Sequence, residues 1–312
     1  MLFKFNETID AWQDWERVFQ NIEAWRPLIA HIYARERLPL AEIEHLTPGS
    51  NAVFRTGQYV VKIFAPEEAF PHSPMDFASE CFGQAHANRL GVSVPRLVTH
   101  GAVEDKYLFR YTVSEFIEGR PLKDVPLTDA EKVSAGSQLR GICDRWNTPC
   151  APWGGLRLPE CLLAARYVDG MREDGGFTER FIAERARYLR QLPLDPAEFV
   201  YCHADLCMDN YLLREDGDIA ILDFADSQYA PVCVEHAVAA AGFEFEKPYL
   251  QGFFGNISAE ELTELCLRGL LLSINGRYIF DYFCPAAKIE SLDFLKELLH
   301  RLIENGGMER HE

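Results

Sequence analysis

Long apolar runs are missing from this chain. No stretch of about 18 or more uncharged hydrophobic residues occurs, so no membrane-spanning helix is predicted. The opening "MLFKFNETIDAWQDWERVF" is acidic and amphipathic and lacks the apolar centre of a signal peptide. C-x-x-C is also missing. The nine cysteines are odd in number and scattered through apolar segments, which predicts buried reduced thiols in a cytoplasmic protein rather than disulfides or zinc ligands. Basic charge is scarce: 31 Lys and Arg face 48 Asp and Glu, a formal net charge of −17. Phosphate neutralisation needs clustered Lys and Arg, so a nucleic-acid surface is excluded as an expectation, whereas a cationic small molecule would be attracted. There is no internal repeat and no low-complexity segment. What is present is an ordinary globular composition, 48% hydrophobic over 312 residues, enough for one large domain or two lobes.

Apolar residues at three- and four-residue spacing predict helix over 7–37: Ile9, Trp12, Trp15, Val18, Phe19, Ile22 and Trp25. Trp12, Trp15 and Trp25 are expected to pack these helices onto the small strand-rich lobe next in the chain. From about 42 to 118 the period changes and reads β-β-α-β-β. Pro48-Gly49 and Thr56-Gly57 split the first strands, Gly91 closes the helix, and a turn falls near Glu104-Asp105. After Gly119-Arg120-Pro121 the pattern is mainly helical: 128–147, 159–171, 177–191, 233–254, 259–282 and 288–304. One strand pair is expected in that half, a hairpin around Glu215-Asp216-Gly217-Asp218. An α+β fold is therefore predicted, with a small β-rich lobe and a larger helical lobe joined near Ser114–Gly119.

The hairpin is flanked by the densest chemistry in the chain. "HADLCMDN" (203–210) precedes it, and "LDFADS" (222–227) comes after it. Asn210 would stand just before the first strand and Asp223 at the end of the second, at the same edge of a small sheet. An Asn and an Asp oxygen placed so can share a divalent cation. Asp205 lies where a carboxylate could take a proton from a hydroxyl. The spacing H-x-D-L-x-x-x-N with a downstream Asp-Phe is that of a phosphoryl-transfer loop. The N-terminal half supplies matching parts. Gly49, Ser50 and Asn51 form a turn whose backbone N–H groups could cover phosphates. Lys62, in a valine-rich strand, could meet phosphate oxygens, and Glu80 on the next helix could hold Lys62. Each alone has a bland reading, as hairpin turn or exposed lysine; their order favours the functional one.

With these segments in view, the chain resembles the aminoglycoside phosphotransferase / choline kinase group of the protein-kinase-like fold over roughly residues 42–285. "LTPGSNAVFR" resembles its nucleotide loop and "EFIEGRPL" its hinge. The resemblance implies residues 1–40 as an N-terminal extension, 41–118 as a nucleotide-binding lobe and 119–312 as a catalytic and acceptor-binding lobe. It also implies Mg²⁺ with ATP or GTP bound between the lobes, the base contacting the backbone around Glu115, Phe116 and Ile117. The acceptor would be a small hydroxylated molecule. A cationic aminoglycoside-like antibiotic comes first on net charge, with a metabolite such as choline, a sugar or an amino-acid derivative second, and a non-catalytic pseudokinase third. Intact Lys62, Asp205, Asn210 and Asp223 weigh against the last.

The chain departs from the group's pattern in three places. Ala204 stands where the group has glycine, a change that is tolerated if φ there is negative. Arg145-Trp146-Asn147 replaces a leucine-histidine pair at the end of a helix. Glu235-His236-Ala237 replaces an Asp-Leu-Ala that braces the catalytic loop, with a shifted reach. His203 is expected to brace the loop rather than act as base. Asp209, Asp226, Glu235, Glu244 and Glu246 are the acids expected near the acceptor side. Glu260, Glu261 and Glu264 read as a solvated helix face, and Phe280–Phe283 as core.

Overall fold

A computed structural model describes residues 3–47, 49–150, 158, 160–284 and 288–307. Pro48 of the expected turn and Pro159, the first residue of the helix expected at 159–171, lie outside the described residues. The chain divides into two compact units: residues 1–118 with 220–226, and residues 119–219 with 227–312.

In the first unit, the helical region expected over 7–37 holds two helices. Trp12–Val18 (α1) and Ile22–Glu36 (α2) are separated at Asn21, whose side chain accepts from the Glu23 and Ala24 N–H groups and so starts a new helix. Ile43–His45 (β1), Ala52–Thr56 (β2) and Tyr59–Ile63 (β3) precede the helix Ser73–Arg89 (α3), one strand more than the sequence pattern suggested. Leu97–Glu104 (β4) and Leu108–Glu115 (β5) complete an antiparallel sheet of order β1-β2-β3-β5-β4. Trp15, Trp25, Leu28, Ile29 and Ile32 bury against Phe54, Val61, Ile63 and Phe109, forming one core with the sheet. Polar pins add to it. Asp105 accepts from the Lys4 and Phe5 N–H groups, and Glu36 accepts from Tyr111 Oη and Thr99 Oγ1. The returning segment 220–226 docks through Ile221 N–H on the Ser93 carbonyl.

In the second unit, Arg120–Pro121 (β6) leads to Asp129–Trp146 (α4), which opens with a Thr128/Glu131 capping box. Glu160–Leu163 (α5), Ala165–Glu173 (α6) and Glu179–Gln191 (α7) come next, then Phe199–Cys202 (β7) and Tyr211–Leu213 (β8); Ile219–Ile221 (β9) begins at the end of this stretch and continues into the 220–226 segment of the first unit. A turn at Arg214–Asp218 joins β8 to β9, with Gly217 at φ +85°. Gln228–Pro231 (β10) pairs antiparallel with β7, and β6 pairs with β8, so this unit has strands beyond the one pair expected. Val232–Gly242 (α8), Lys247–Phe254 (α9), Ala259–Leu272 (α10), Gly276–Phe283 (α11) and Leu292–Asn305 (α12) complete it. The runs read as 233–254 and 259–282 each break in two. The first break passes through Glu244 and Phe245, both at positive φ. Helices α4 and α9 cross at Gly136 and Gly252, where any Cβ would fall within 2.4 Å of a backbone carbonyl of the other helix.

Candidate active site

Lys62 is on the central strand β3, opposite Val53 on β2 and Thr112 on β5. Its aliphatic neighbours Val61 and Ile63 fill one face of the sheet. Lys62 takes the other face and is still buried, at 8% exposure. Its ammonium donates to Glu80 Oε2 at 3.0 Å and to Asp223 Oδ1 at 2.6 Å. Burial works against the Lys62 charge, but Asp223 and Glu80 outweigh it and hold the group above its ordinary pKa. Glu80 is itself 2% exposed. One oxygen takes Lys62 and the Phe224 N–H (2.9 Å); the other takes Gln84 Nε2 (2.6 Å), whose carbonyl accepts from Ser114 Oγ on β5 (3.0 Å). Glu80 thus ties lysine strand, helix and the 220–226 segment together. Asp223 adopts φ +59°, a conformation aspartate tolerates better than most side chains. The lysine head group is core here, contrary to the exposed strand lysine of the bland reading.

Asp76 was not singled out from sequence. It lies one helical turn before Glu80, and the i, i+4 spacing on α3 is the signal that could have found it. Burial, then the charge of Asp226 and, more weakly, Asp223 and Glu80, push its carboxyl up to about 7 despite Lys62 nearby.

The expected phosphate-covering turn lies between β1 and β2. Asn51 is buried, and the Ser50 carbonyl accepts from Trp15 Nε1 at 2.8 Å, fixing the turn to α1. Gly49 has open space around its Cα. In the hinge stretch, Phe116 N–H is taken by the Gln58 carbonyl and Glu115 N–H by that of Arg96. Glu115's side chain pairs with Arg96, and the Phe116 ring lies 3.8 Å beneath the Arg55 guanidinium.

In the second unit, β7 ends in the loop that carries Asp205. Asn210 Nδ2 donates to the Asp205 carbonyl (2.9 Å) and to Asp205 Oδ2 (2.7 Å). The Asp205 N–H points to His203 Nδ1 at 3.3 Å. His203 is fully buried and stacked on Trp146, ring centroids 5.6 Å apart, which suits a brace rather than a base. Burial and the charge of Asp205 push the Cys207 thiol up to about 12, leaving it unreactive.

The three departures from the group's pattern meet at one carboxylate. Glu235, on the first turns of α8, is fully buried. It accepts from His203 N–H (3.0 Å), Ala204 N–H (2.9 Å), Trp146 Nε1 (2.7 Å) and Asn147 Nδ2 (3.4 Å). Its reach is therefore not lost. The longer side chain ends on the loop backbone, and the helix-terminal Trp146-Asn147 supplies the other donors. Burial pushes its carboxyl up, against the pull of these N–H groups. At Ala204 the condition for an easy replacement of glycine is not met: φ is +63°, so alanine occupies a left-handed position that favours glycine. At the other end of α8, a Cβ on Gly242 would lie 1.8 Å from the Leu206 carbonyl, so only glycine lets the helix abut the loop.

The acids expected near the acceptor divide. Asp209 pairs with Lys123, and Glu246 pairs with Lys132. Glu235 is the buried brace, and Asp226 groups with the first unit. Glu244 accepts from Tyr282 Oη at 2.8 Å. Glu261 caps α10 through Ser258, and Glu264 pairs with Lys296, as a solvated face would. Phe280 and Phe283 are core, but Tyr282 is 54% exposed because it lies on the opposite side of α11.

The sequence matches the phosphotransferase enzyme family over residues 46–263. A comparison with curated proteins finds no significant match. Among solved structures, it is similar to the amicoumacin kinase hAmiN in complex with AMP-PNP, Ca²⁺ and Ami (14% identity, 92% of this chain and 98% of that one, TM-score 0.55). It is also similar to a microcompartment-associated aminopropanol kinase (14%, 88% and 94%, TM-score 0.56). A third likeness is to the GDP complex of aminoglycoside 2'-phosphotransferase-IIIa (16%, 92% and 98%, TM-score 0.56). At these identities the likeness establishes the protein-kinase-like fold. No helix among the described residues is long and apolar enough to cross a membrane.

Proposed function

The chain belongs to the phosphotransferase enzyme family, and we propose that it moves the γ-phosphate of ATP or GTP to a hydroxyl of a small amine-bearing acceptor, with Asp205 as the general base. The observation that carries this reading is the buried Lys62 between Glu80 and Asp223. A buried ion pair adds little stability over a well-packed apolar set, so its presence calls for a use beyond folding. Phosphate oxygens are the natural partners for such an ammonium, with Glu80 keeping it oriented.

Asp205 takes the proton of the attacking hydroxyl, and the Asn210 amide keeps its carboxylate oriented. Asn210 and Asp223 are the proposed Mg²⁺ ligands. Because the Asn210 NH₂ faces Asp205, its carbonyl oxygen is the end offered to a cation, and Asp223 brings a carboxylate; both are hard oxygen donors. When bound, Mg²⁺ would neutralise charge on the phosphates. Gly49, Ser50 and Asn51 would cover the phosphates. With Phe116 N–H engaged, the carbonyl of Glu115 and the N–H of Ile117 are the backbone groups proposed for the base.

Net charge supports a cationic acceptor, an aminoglycoside-like antibiotic. The pairing of Asp209 with Lys123 and of Glu246 with Lys132 favours a second reading, an amino alcohol with a single charge. Turnover of ATP and GTP over a panel of aminoglycosides, amino alcohols, neutral sugars and anionic sugars tests both. Transfer to anionic compounds alone would overturn the acceptor class, and no transfer with intact nucleotide binding would overturn the enzyme reading.

A further inference from the structure

The indole of Trp146 serves the loop rather than only the core. Trp146 is fully buried at the end of α4. Its Nε1–H donates to Glu235 Oε1, the same oxygen that receives His203 N–H, and its ring stacks on the His203 imidazole at an interplanar angle of 22°. It therefore holds both the acceptor of the loop's backbone N–H groups and the side chain at the loop's start. Between those contacts lies Ala204 at φ +63°. Left to itself, an alanine leaves that region for right-handed or extended backbone. Two consecutive N–H groups, of His203 and Ala204, converge on one carboxylate only while the left-handed turn is kept.

We propose that Trp146 is a positioning residue for phosphoryl transfer: through Glu235 it holds Ala204 in the left-handed conformation that sets the carboxylate of Asp205. The inference rests on the reading of Asp205 as base. Loss of the indole N–H leaves the Glu235 carboxylate short of one donor and frees it to shift from the loop. Ala204 then relaxes, and Asp205, the next residue, moves with it. A displacement of about 1 Å in a catalytic group is enough to cost up to about 10²-fold in rate.

The test uses the full chain with its nucleotide and the best acceptor from the panel. Trp146→Phe keeps the stacked ring and removes the N–H. The expected result is a kcat lower by about 10-fold, with nucleotide KM within about twofold of the parent. Adding Ala204→Gly, which abolishes the local preference against positive φ, is expected to restore kcat by at least ~3-fold in the Trp146→Phe background, so that the loss caused by Trp146→Phe is smaller with glycine at 204 than with alanine. A purely structural role would lower the melting temperature without moving kcat below it. Should Trp146→Phe fold poorly, Glu235→Gln provides the same comparison, since the amide offers only one oxygen to two loop N–H groups. A kcat unaffected by Trp146→Phe or Glu235→Gln, or a loss equal in size with alanine or glycine at 204, overturns the proposal. Asp205→Asn separates the two levels. If it abolishes turnover while Trp146→Phe does not lower kcat, only the positioning role fails; if it leaves turnover intact, the base assignment and the positioning role fall together.

Discussion

Two buried ionic centres, Lys62 in one unit and Glu235 in the other, are built in opposite ways. In the first unit a cation, Lys62, is surrounded by carboxylates: Glu80 and Asp223 in contact, with Asp76 close enough for its own acidity to respond. In the second unit an anion, Glu235, is surrounded by neutral N–H groups from four residues. Full charges can be exchanged for other full charges. On the proposed reading, a phosphate would take the place of Asp223 on Lys62, and Asp223 would be among the residues that hold the metal. Neutral N–H dipoles from a helix end and a loop backbone have no such alternative, so Glu235 is a permanent fixture. The contrast assigns adaptable chemistry to the lysine centre and fixed geometry to the glutamate centre.

The largest expected effect falls on the fixed side. Asp205→Asn removes the proposed base while leaving an isosteric partner for Asn210. Base catalysis of this kind contributes about 10² to 10⁴ in rate, so kcat should fall within that range. Nucleotide affinity, measured by titration calorimetry, should stay within about twofold. A variant retaining most of its kcat would remove Asp205 from the role.

Next comes the adaptable side. Lys62→Met leaves Glu80 and Asp223 buried or half-buried without their cation. Breaking one side of a buried ion pair costs about 3–5 kcal/mol. Lys62→Met should therefore lower stability by that order as well as turnover. Lys62→Met with Glu80→Gln should recover part of the stability and none of the turnover. Denaturant melts with urea check the first half and steady-state kinetics the second. Equal stabilities of the single and double variants would show that the lysine is not the counter-ion of Glu80.

A third prediction uses pH. The Asp76 carboxyl is pushed up to about 7 in the folded protein by burial and by neighbouring carboxylates, against about 3.9 in an unfolded chain. The folded state therefore binds more protons than the unfolded one between those values, and stability falls as pH rises from about 4 through 7. The ceiling on that loss, about 1.4 kcal/mol per tenfold change in acidity, is ~4 kcal/mol, and roughly half is a fair expectation. Asp76→Asn in the nucleotide-free protein should raise the melting temperature above pH 7 and change nothing below about pH 4. A gain that is the same at all pH values would mean that the effect is packing, not charge.

How much of this could be read from the chain depends on distance along it. His203, Asp205 and Asn210 lie within eight residues, and the spacing is itself the signal; Lys62 and Glu80 stand 18 apart, on the strand and helix just after the turn. Glu235 reaches a loop 31 and 32 residues away and a helix end 89 away, and no local pattern announces such a meeting. Trp146 and Ala204 were visible as oddities, but their common partner was not. Positive φ is legible when glycine marks it, as at Gly91 and Gly217. Ala204, Glu244 and Phe245 take it without that mark, so the condition of negative φ set for Ala204 is not met and the break after α8 went unseen. The periodicity that placed Phe280 and Phe283 in the core could not separate Tyr282, two residues from one and adjacent to the other, because an eight-residue helix offers barely two turns to establish a face.

The smallest effect concerns the surface between these extremes. Lys123 pairs with Asp209, beside Asn210 in the loop, and both side chains are exposed. Such pairs contribute little to stability, so Lys123→Ala should leave the melting temperature unchanged. Its effect should appear in substrate choice. Without the lysine, the Asp209 carboxylate is uncompensated, and the field over the loop becomes more negative. KM for an acceptor carrying several amino groups should fall by roughly 2- to 5-fold at low salt, while KM for a neutral acceptor stays the same. The gain should shrink as salt rises to physiological strength, where the Debye length is about 8 Å. If KM for both acceptors moves together, Lys123 acts on the loop's conformation instead. If neither moves, the acceptor does not approach over Asp209, and the case for a polycationic substrate loses its local support there, since Glu246 is paired with Lys132, Glu235 is buried and Glu244 is bound to a tyrosine hydroxyl.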